Sequence, residues 1–365
     1  MLRKLVAWMR SDGLKPGARP TQPRPEPAST PLVEAPFSPN PGNLRMFRYL
    51  PPRLKVGAPL VVVLHGCGQT ATGYGTGAGW CELADRLGFA VLAPEQKAVN
   101  NPNTCFNWFN PEDITRGEGE CASIAAMIGS MVETHRLDGR RVFITGLSAG
   151  GAMTAAMLST YPELFAGGAI IAGLPFGVAR NVRDALEAMR SAPLKTPQAL
   201  GDMVRAASGF TGPWPKVSIW HGALDTTVNV NNAQASLAQW ADLHGLTLGA
   251  AKHELANGGA LRLSWDDRLE LYTLPLLGHG TPIDSRDVGA AEPFILDVGI
   301  SSSHHIAQFW GLVPQAAPKP RPAPVRIVTE PGLPEIEATL APKVAAPMAE
   351  TLIRRALRAV RLLKG

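Results

Sequence analysis

The stretch of sequence that decides the fold is RVFITGLSAGG, residues 141–151. Its apolar and β-branched residues 142–145 run directly into a turn, in which glycines flank a single serine, Ser148. The helix-forming run AMTAAMLSTY follows at residues 152–161. This pattern predicts a strand, a tight turn that carries the serine, and a helix.

A serine on a sharp strand-to-helix turn is typical of the nucleophile elbow of an α/β-hydrolase. Gly146 and Gly150 suit such a turn, because a Cβ atom two residues on either side of Ser148 would collide with the neighbouring strand and helix. The turn is expected to hold the hydroxyl group at the carboxyl end of a sheet, beside the backbone amides of a helix N-terminus. Ser148 is therefore the candidate nucleophile.

The rest of the chain alternates between strand and helix patterns. Continuous apolar runs predict strands that are buried on both faces, and they lie at 59–66, 89–95 and 167–173. Helices are predicted over 78–87, 118–136 and 231–244, an edge strand from about Leu44, and a hairpin that turns at Asp266-Asp267. The alternation predicts an α/β fold with a mostly parallel central sheet and helices on both faces.

Composition divides the chain into four parts. We predict a largely extended N-terminal arm over residues 1–43 and the catalytic domain over residues 44–313. The Pro/Ala-rich residues 314–348 are predicted to form a linker. Residues 349–365 predict a basic amphipathic helix. Such a helix could contact a membrane or a lipid-coated granule, or it could dock on its own protein or stay solvated.

Apolar residues make up 45% of the chain and charged residues 18%, which allows a large core and excludes global disorder. The net charge of +5 arises largely at the two ends, and no nucleic-acid-binding motif accompanies it, so a nucleic-acid partner is not expected. No apolar span has transmembrane length. The apolar part of MLRKLVAWMR is too short for a signal peptide, so the sequence alone predicts a cytoplasmic location.

A serine hydroxyl needs a base to remove its proton, and the base needs a carboxylate to orient it. In α/β-hydrolases these partners follow in the order Ser, Asp, His, each on a loop after a strand. Asp225 lies in ALDTTV after the predicted strand VSIWHG, and His279 lies in LLGHGTP after LELYTLP. We therefore expect Ser148, Asp225 and His279 to form a catalytic triad.

Other histidines and aspartates fit these roles less well. His221 precedes the candidate acid and is expected to form hydrogen bonds at the rim of the sheet, and His65 is expected to be a structural hydrogen-bonding residue. His304 and His305 begin a predicted helix after serines that resemble caps. Asp284 and Asp297 follow the candidate histidine and break the expected order.

The negative oxygen that forms during attack on an ester requires two fixed N–H donors. We expect these donors to be the backbone amides of Ala149 and of Cys67, which lies in the glycine-containing loop after an early strand. The four cysteines show no zinc spacing. One or two disulfides are allowed, and Cys67 with Cys105 is the favoured pair if both flank the pocket. Buried free thiols are the alternative.

Aromatic residues follow the first two predicted strands, on the side where the serine emerges. They are Trp80, Phe106, Trp108 and Phe109. An aromatic rim would suit an apolar acyl chain or a phenolic ring, so Trp108 and Trp80 are candidate substrate-binding residues. Core packing is the alternative for both, and it is the stronger interpretation for Trp80.

Six blocks of sequence, in order, resemble the poly(3-hydroxybutyrate) depolymerase-type esterases, relatives of feruloyl and acetylxylan esterases. They are LHGCGQTATGY, GAGWCELADRLGFAVLAPEQ, NTCFNWF, GLSAGGAMTAAMLSTYPELFAGGAIIAGLPFG, WHGALDTTV and GHGTPID. The resemblance covers about residues 45–313. The resemblance implies an α/β-hydrolase with Ser148, Asp225 and His279 as its triad. It also implies hydrolysis of carboxylic esters without a metal or an organic cofactor.

The resemblance further implies a small or oligomeric ester as the substrate, of the 3-hydroxyalkanoate type. A feruloyl, acetylxylan or general short-chain esterase is the alternative. Many members of the family are secreted, which makes an extracellular location the alternative to the cytoplasm. A non-catalytic granule-binding protein and a peptidase of the same fold are lower alternatives.

Overall fold

The computed structural model describes residues 31–314. The first thirty residues of the predicted arm, the predicted linker beyond residue 314 and the predicted C-terminal helix therefore lie outside the described residues. Within residues 31–314, ten strands form one large sheet. Two further strands form a separate parallel pair.

The strands of the large sheet are β1 (Val33–Ala35), β2 (Arg45–Tyr49), β3 (Leu60–Leu64), β4 (Ala90–Glu95), β5 (Val142–Leu147), β6 (Gly167–Ile171), β7 (Lys216–Gly222), β8 (Lys252–Leu255), β9 (Leu261–Trp265) and β10 (Leu269–Leu274). The small pair is β11 (Thr281–Ile283) and β12 (Ile295–Asp297). The central strands β4, β3, β5, β6, β7 and β10 pair in parallel. The outer strands pair antiparallel. The order of strands across the large sheet is β1-β2-β4-β3-β5-β6-β7-β10-β9-β8.

The helices connect these strands and cover both faces of the sheet. They are α1 (Ala71–Gly77), α2 (Trp80–Leu87), α3 (Pro111–Ile114), α4 (Gly119–His135), α5 (Ala149–Thr160), α6 (Val182–Arg190), α7 (Pro197–Ser208), α8 (Asn231–His244) and α9 (Ser302–Phe309). Helices α4, α5 and α8 contribute to one hydrophobic cluster, and α1, α2 and α9 contribute to a second.

Strand β3 shows why the centre of the sheet is buried on both sides. Leu60, Val62 and Leu64 belong to the first cluster, whereas Val61 and Val63 belong to the second. Successive side chains of a strand point to opposite faces, so an uninterrupted apolar run fills both layers of the core. The predicted α/β architecture, with helices on both faces of a mostly parallel sheet, is confirmed.

The structure differs from the sequence-based expectations at two points near the start of the domain. Strand β1 lies inside the segment predicted to be an extended arm, and it pairs antiparallel with β2. The predicted edge strand is β2, which lies between β1 and β4. Three residues of β1 carry too little pattern for a sequence-based prediction, and its pairing with β2 stabilises it instead.

The described part of the chain, residues 31–314, contains no helix that combines the length and the apolar character needed to cross a membrane.

Candidate active site

Ser148 lies between the end of β5 and the start of α5, and its φ of 57° and ψ of −116° are strained for a residue with a side chain. Its N–H donates to the carbonyl oxygen of Ile171 at 2.9 Å, which extends the pairing of β5 with β6 past the strand end. A Cβ atom on Gly146 would lie 2.4 Å from the backbone of Gly150, and one on Gly150 would lie 2.3 Å from the carbonyl oxygen of Leu64. Only glycine fits at either position, as the elbow pattern predicts.

His279 and Asp225 form a hydrogen-bonded pair. The Nδ1 atom of His279 lies 2.7 Å from Oδ2 of Asp225. A carboxylate can only accept, so Nδ1–H donates and Nε2 is left for another partner. The Asp225 side chain is fully buried, whereas a small part of the His279 side chain is exposed.

The two loops that carry this pair are held together by their backbones. The N–H of Leu224 donates to the carbonyl oxygen of Leu277 at 3.0 Å. A Cβ atom on Gly222, the last residue of β7, would lie 2.2 Å from the same oxygen. The close approach of these backbones fixes Asp225 and His279 relative to each other, because each lies a few residues from this contact.

The environment of Asp225 favours its ionised form. Its Oδ1 atom accepts hydrogen bonds from the backbone amides of Thr227 and Val228, each at 2.9 Å. Burial opposes the charge, but hydrogen bonds from His221 and His279 outweigh burial and hold the pKa of Asp225 well below its usual range. The side chain is therefore a carboxylate at neutral pH.

His221 is the second histidine on this carboxylate. Its Nε2 atom lies 2.9 Å from the carbonyl oxygen of Val228 and 3.2 Å from Oδ2 of Asp225, and its ring is buried. This confirms the predicted hydrogen bonding at the rim of the sheet. The sequence did not show that His221 also contacts the candidate acid.

The other histidines and aspartates that were considered for the acid and base roles form different contacts. Ser301 caps α9 by accepting a hydrogen bond from the N–H of His304, as predicted, and Nδ1 of His304 lies 2.5 Å from Asp287. Asp284 forms an ion pair with Arg286. Asp225 and His279, the predicted acid and base, are the pair that form a hydrogen bond with each other.

Ser148, Asp225 and His279 follow β5, β7 and β10 respectively, so all three lie at the carboxyl edge of the parallel strands. The hydrogen bond that His279 makes in the described part of the chain is the one to Asp225.

The candidate oxyanion donors lie where α5 meets the end of β3. The start of α5 lies against the loop that contains Cys67, since a Cβ atom on Gly150 would lie 2.6 Å from the carbonyl oxygen of His65. The N–H of Ala149 is the first of α5 and has no acceptor within the helix. Among residues 31–314 no acceptor lies within hydrogen-bonding distance of the Cys67 N–H. Both amides are thus free to bind an anion.

Cys67 is further fixed by a disulfide with Cys105, the pairing that the sequence favoured. Cys81 and Cys121 are buried free thiols. Burial raises the pKa of the Cys81 thiol to about 12, which keeps it unreactive at neutral pH.

Comparison with known proteins identifies the family of this chain. Residues 44–257 match the family described as Esterase PHB depolymerase. The chain belongs to this family. It is 44% identical over 293 residues to poly(3-hydroxyalkanoate) depolymerase C of Paucimonas lemoignei, with coverage of 76% of this chain and 69% of the relative.

Two esterases are more distant relatives. Feruloyl esterase B of Thermothelomyces thermophilus is 34% identical, with coverage of 58% of this chain and 74% of the relative. The solved structure of an acetyl xylan esterase from Aspergillus awamori is 27% identical, with a TM-score of 0.67 and coverage of 77% of this chain and 99% of the other. The chain is thus an α/β-hydrolase that acts on carboxylic esters.

The structure distinguishes the two candidate tryptophans of this esterase, and for Trp80 it supports core packing, the interpretation that the sequence favoured. Trp80 is fully buried in the second cluster, where it stacks on Trp310 with ring centroids 5.7 Å apart. It is a core residue, so its assignment as a candidate substrate contact is corrected. Trp108 is 8% exposed and lies edge-on to Phe109, and its role as a substrate contact stays a prediction.

Phe294 is an aromatic residue that the sequence analysis missed. Its ring centroid lies 6.0 Å from that of His279, and its φ of 64° is strained for a bulky residue. The preceding carbonyl group, of Pro293, accepts a hydrogen bond from the Gln69 side chain at 3.0 Å. Phe294 therefore lies between the candidate base and the loop that carries Cys67. No local pattern marks it, because its position depends on contacts with residues far away in the sequence.

Within residues 31–314, no three or more His, Cys, Asp or Glu side chains are grouped so that they could hold a metal ion.

Proposed function

We propose that this esterase works through a serine mechanism in which Ser148 is the nucleophile, His279 the base and Asp225 the orienting acid. The observation that carries the proposal is the 2.7 Å pair of His279 and Asp225 at the sheet edge that also bears the strained Ser148. The ionised Asp225 fixes the proton of His279 on Nδ1, so Nε2 is the atom that can accept the proton of the serine.

In the first half of the reaction, Nε2 of His279 takes the proton from Ser148 Oγ while Oγ forms a bond to the ester carbonyl carbon. The carbonyl oxygen becomes negative and accepts hydrogen bonds from the amides of Cys67 and Ala149. When the C–O bond to the alcohol breaks, the leaving oxygen takes the proton from His279. An acyl group remains on Ser148.

In the second half, His279 removes a proton from water as the water oxygen attacks the acyl carbon. The negative oxygen again lies against the amides of Cys67 and Ala149. Collapse of this intermediate breaks the bond to Ser148 Oγ, which regains the proton from His279. The carboxylic acid leaves, and the enzyme returns to its initial state.

For the substrate, we propose 3-hydroxyalkanoate esters of oligomer length. The support is the relative named poly(3-hydroxyalkanoate) depolymerase C, which is 44% identical, against 34% and 32% for the relatives named feruloyl and acetylxylan esterases. Phe294, beside His279, offers an apolar surface for an acyl or alcohol group.

A feruloyl or acetylxylan type of ester is the second candidate, favoured by the coverage of 99% of the Aspergillus awamori acetyl xylan esterase structure. Measuring kcat/KM on 3-hydroxybutyrate oligomers, methyl ferulate, acetylated xylan oligomers and p-nitrophenyl butyrate decides between the two. A feruloyl or acetyl-sugar ester that is hydrolysed at least tenfold faster than the oligomers would contradict the proposed substrate.

The mechanism is tested by Ser148→Ala. Loss of a triad serine lowers kcat on p-nitrophenyl butyrate by about 10⁶-fold, because the nucleophile is gone. Ser191→Ala, at an exposed serine, is the control and should leave kcat unchanged. Stoichiometric labelling of the wild type by a fluorophosphonate, absent in Ser148→Ala, separates an enzyme from a non-catalytic binding protein. A Ser148→Ala variant with a tenth of the wild-type rate would end the proposal.

A further inference from the structure

We propose that one end of the parallel strands, opposite the end that bears the candidate active site, is a docking surface for an anionic phospholipid bilayer. This surface, the basic edge, lies at the amino ends of the strands. Its six cations are Arg48, Arg53, Lys55, Arg136, Arg140 and Arg141. The inference does not depend on the proposed serine mechanism, because the basic edge shares no residue with the candidate site.

Two neighbouring segments of the chain form the basic edge. Residues 48–58 include the end of β2 and the loop before β3, and residues 136–141 connect α4 with β5. Strands β3 and β5 are adjacent in the sheet. The N–H of Gly57 donates to the carbonyl oxygen of Arg136 at 2.8 Å, which joins the two segments directly. The six cations therefore share one surface.

Most of this positive charge has no partner in the described domain. Four of the six cations are exposed and form no ion pair with any residue between 31 and 314: Arg53, Lys55, Arg136 and Arg141. Arg140 pairs with Asp138, but 91% of its side chain is exposed. The guanidinium group of Arg48 lies 2.6 Å from Nε2 of His135, at the end of α4. The charge of the basic edge is thus available to an external partner.

The described domain as a whole has the opposite charge. Residues 31–314 contain 20 Lys and Arg residues and 24 Asp and Glu residues. Residues 48–55 and 136–141 alone contain six of those cations and a single acid, Asp138. A net negative domain thus concentrates positive charge at one place. Such an asymmetry turns the basic edge toward an anionic surface, because the rest of the domain is repelled by it.

Val56 favours a lipid bilayer over other anionic partners. Its side chain is 76% exposed, and it follows Lys55 in the loop before β3. An anionic bilayer offers phosphate groups to the cations and an apolar interior to such a side chain. Surfaces that bind single-stranded nucleic acids instead combine cations with aromatic side chains that stack on bases. Tyr49, the aromatic residue of the two segments, is half-buried, and its hydroxyl group donates to Asp85 at 2.6 Å.

Docking through the basic edge leaves the candidate active site accessible. Ser148, Asp225 and His279 lie at the carboxyl ends of the same parallel strands. Strand β3 has five residues and β5 has six, so the two ends of the strands are about 15–20 Å apart. The bound enzyme should therefore hydrolyse soluble esters as fast as the free enzyme.

The experiment measures co-sedimentation of the full chain with large unilamellar vesicles at about 0.1 M salt, where screening is moderate. The vesicles contain phosphatidylcholine alone or phosphatidylcholine with phosphatidylglycerol. The edge variant combines Arg53→Gln, Lys55→Gln and Arg141→Gln. The matched control removes the same charge from three exposed residues outside the basic edge, by Arg183→Gln, Arg190→Gln and Lys195→Gln. Both variants keep the Lys and Arg residues at the two ends of the chain, so the contribution of these ends is the same in both.

We expect the wild type to bind anionic vesicles at least tenfold more tightly than phosphatidylcholine. A basic residue near an anionic surface contributes about fivefold to the partition coefficient. The edge variant should therefore lose at least tenfold, and the control variant less than threefold. Val56→Ser should lower the partition coefficient about threefold without any change in charge. Wild-type kcat on p-nitrophenyl butyrate in all three variants shows that they are folded, and vesicles should not change the kcat of the wild type.

Equal losses in the edge and control variants would overturn the inference, since they would reflect the net charge alone. Equal binding of the wild type to both kinds of vesicle would overturn it as well. Unchanged vesicle binding in Val56→Ser overturns the bilayer as the partner, and tighter binding to a short DNA duplex then identifies a nucleic acid instead. Ser148→Ala should bind vesicles like the wild type, so failure of the proposed mechanism and failure of this inference are detected separately.

Discussion

Asp225 combines its proposed role as the orienting acid with an effect on the stability of the fold. Its Oδ1 atom accepts hydrogen bonds from two backbone amides, and its Oδ2 atom contacts a ring nitrogen of each of two histidines. The depressed pKa means that Asp225 does not change its charge between pH 5 and pH 9. Any loss of kcat/KM within this range must therefore come from another group.

We expect Asp225→Asn to lower kcat by about 10⁴-fold, because an amide can turn its NH₂ group toward His279 and leave the ring in the wrong tautomer. Asp284→Asn, which breaks a surface ion pair with Arg286, is the control and should change kcat less than twofold. Steady-state kinetics on p-nitrophenyl butyrate measures both. Similar kcat values in the two variants would remove Asp225 from the triad.

The depressed pKa also gives Asp225 a defined effect on stability. A carboxyl group whose pKa is lower in the folded state stabilises the fold above its unfolded pKa, and the contribution is lost as the pH falls through the folded value. The loss therefore occurs below about pH 4, the pKa of an unfolded aspartate.

At this scale, the sequence predicted the residues of the candidate site but not all of their contacts. Ser148, Asp225 and His279 could be found because each follows a recognisable strand, and the elbow glycines are local. The contact of His221 with Asp225 and the strained Phe294 beside His279 could not be found, since they depend on the exact approach of separate loops.

At the scale of elements, helix α4 fixes the long loop after β4 through Glu120 in its first turn. This carboxyl group accepts hydrogen bonds from the Gln96 side chain and from the N–H of Asn107, the latter at 2.9 Å. Burial raises the pKa of Glu120 to about 8. The loop that carries Cys105 and Trp108 is thus attached to a buried acid.

The raised pKa gives a prediction with a definite sign. The unfolded chain releases the Glu120 proton near pH 4.5 and the folded chain near pH 8, so the contribution of Glu120 to stability falls as the pH rises between these values. Between these values the contribution of Glu120 to the unfolding free energy falls by about 1.4 kcal/mol per pH unit. In Glu120→Gln this dependence disappears. The unfolding free energy of the variant minus that of the wild type should therefore increase from pH 5 to pH 8. Urea denaturation at the two pH values measures it.

Glu118→Gln is the matched control, because Glu118 is exposed and immediately precedes the same helix. Its difference from the wild type should not change between pH 5 and pH 8. A constant difference for Glu120→Gln as well would show that Glu120 does not titrate as described.

Regular elements were predicted where their own pattern is strong. Helix α8 has the predicted bounds, and β9 and β10 form the predicted hairpin around Asp266 and Asp267. The predicted helix over 78–87 is α2, which begins at Trp80 because Gly79, with a φ of 81°, precedes it in a left-handed conformation. Helix α1, before Gly79, was not predicted. The pair β11 and β12 was missed, because three-residue strands form only through pairing with each other.

At the scale of the whole molecule, the sheet has two edges of different character. The outermost strand at one edge, β8, is exposed along its length and carries Lys252, His253 and Glu254, polar residues that discourage pairing with another chain. The opposite edge is β1, which is partly buried: Ala35 packs in the first hydrophobic cluster and the preceding Leu32 in the second. Residues before the predicted domain start therefore complete the core.

This gives a prediction about where the domain begins. A chain that starts at residue 44, the boundary predicted from sequence, loses Leu32 and Ala35 from the core, the backbone pairing of β1 and the hydrogen bond from the Gly42 N–H to Ser123. The loss of Leu32 alone costs about 2 kcal/mol. Removal of β1 also leaves β2 as an open edge. We expect a lower melting temperature and concentration-dependent aggregation compared with a chain that starts at residue 31.

The comparison of these two chains is informative because both contain every residue of the candidate site. β1 is separated from β3 by β2 and β4, so the site should be retained in the folded fraction of the shorter chain. We therefore expect kcat per fluorophosphonate-titrated site to agree within twofold, while differential scanning fluorimetry separates the two melting temperatures. Equal melting temperatures would mean that β1 contributes nothing to the fold, and a lower kcat per titrated site would mean that β1 also supports the geometry of the active site.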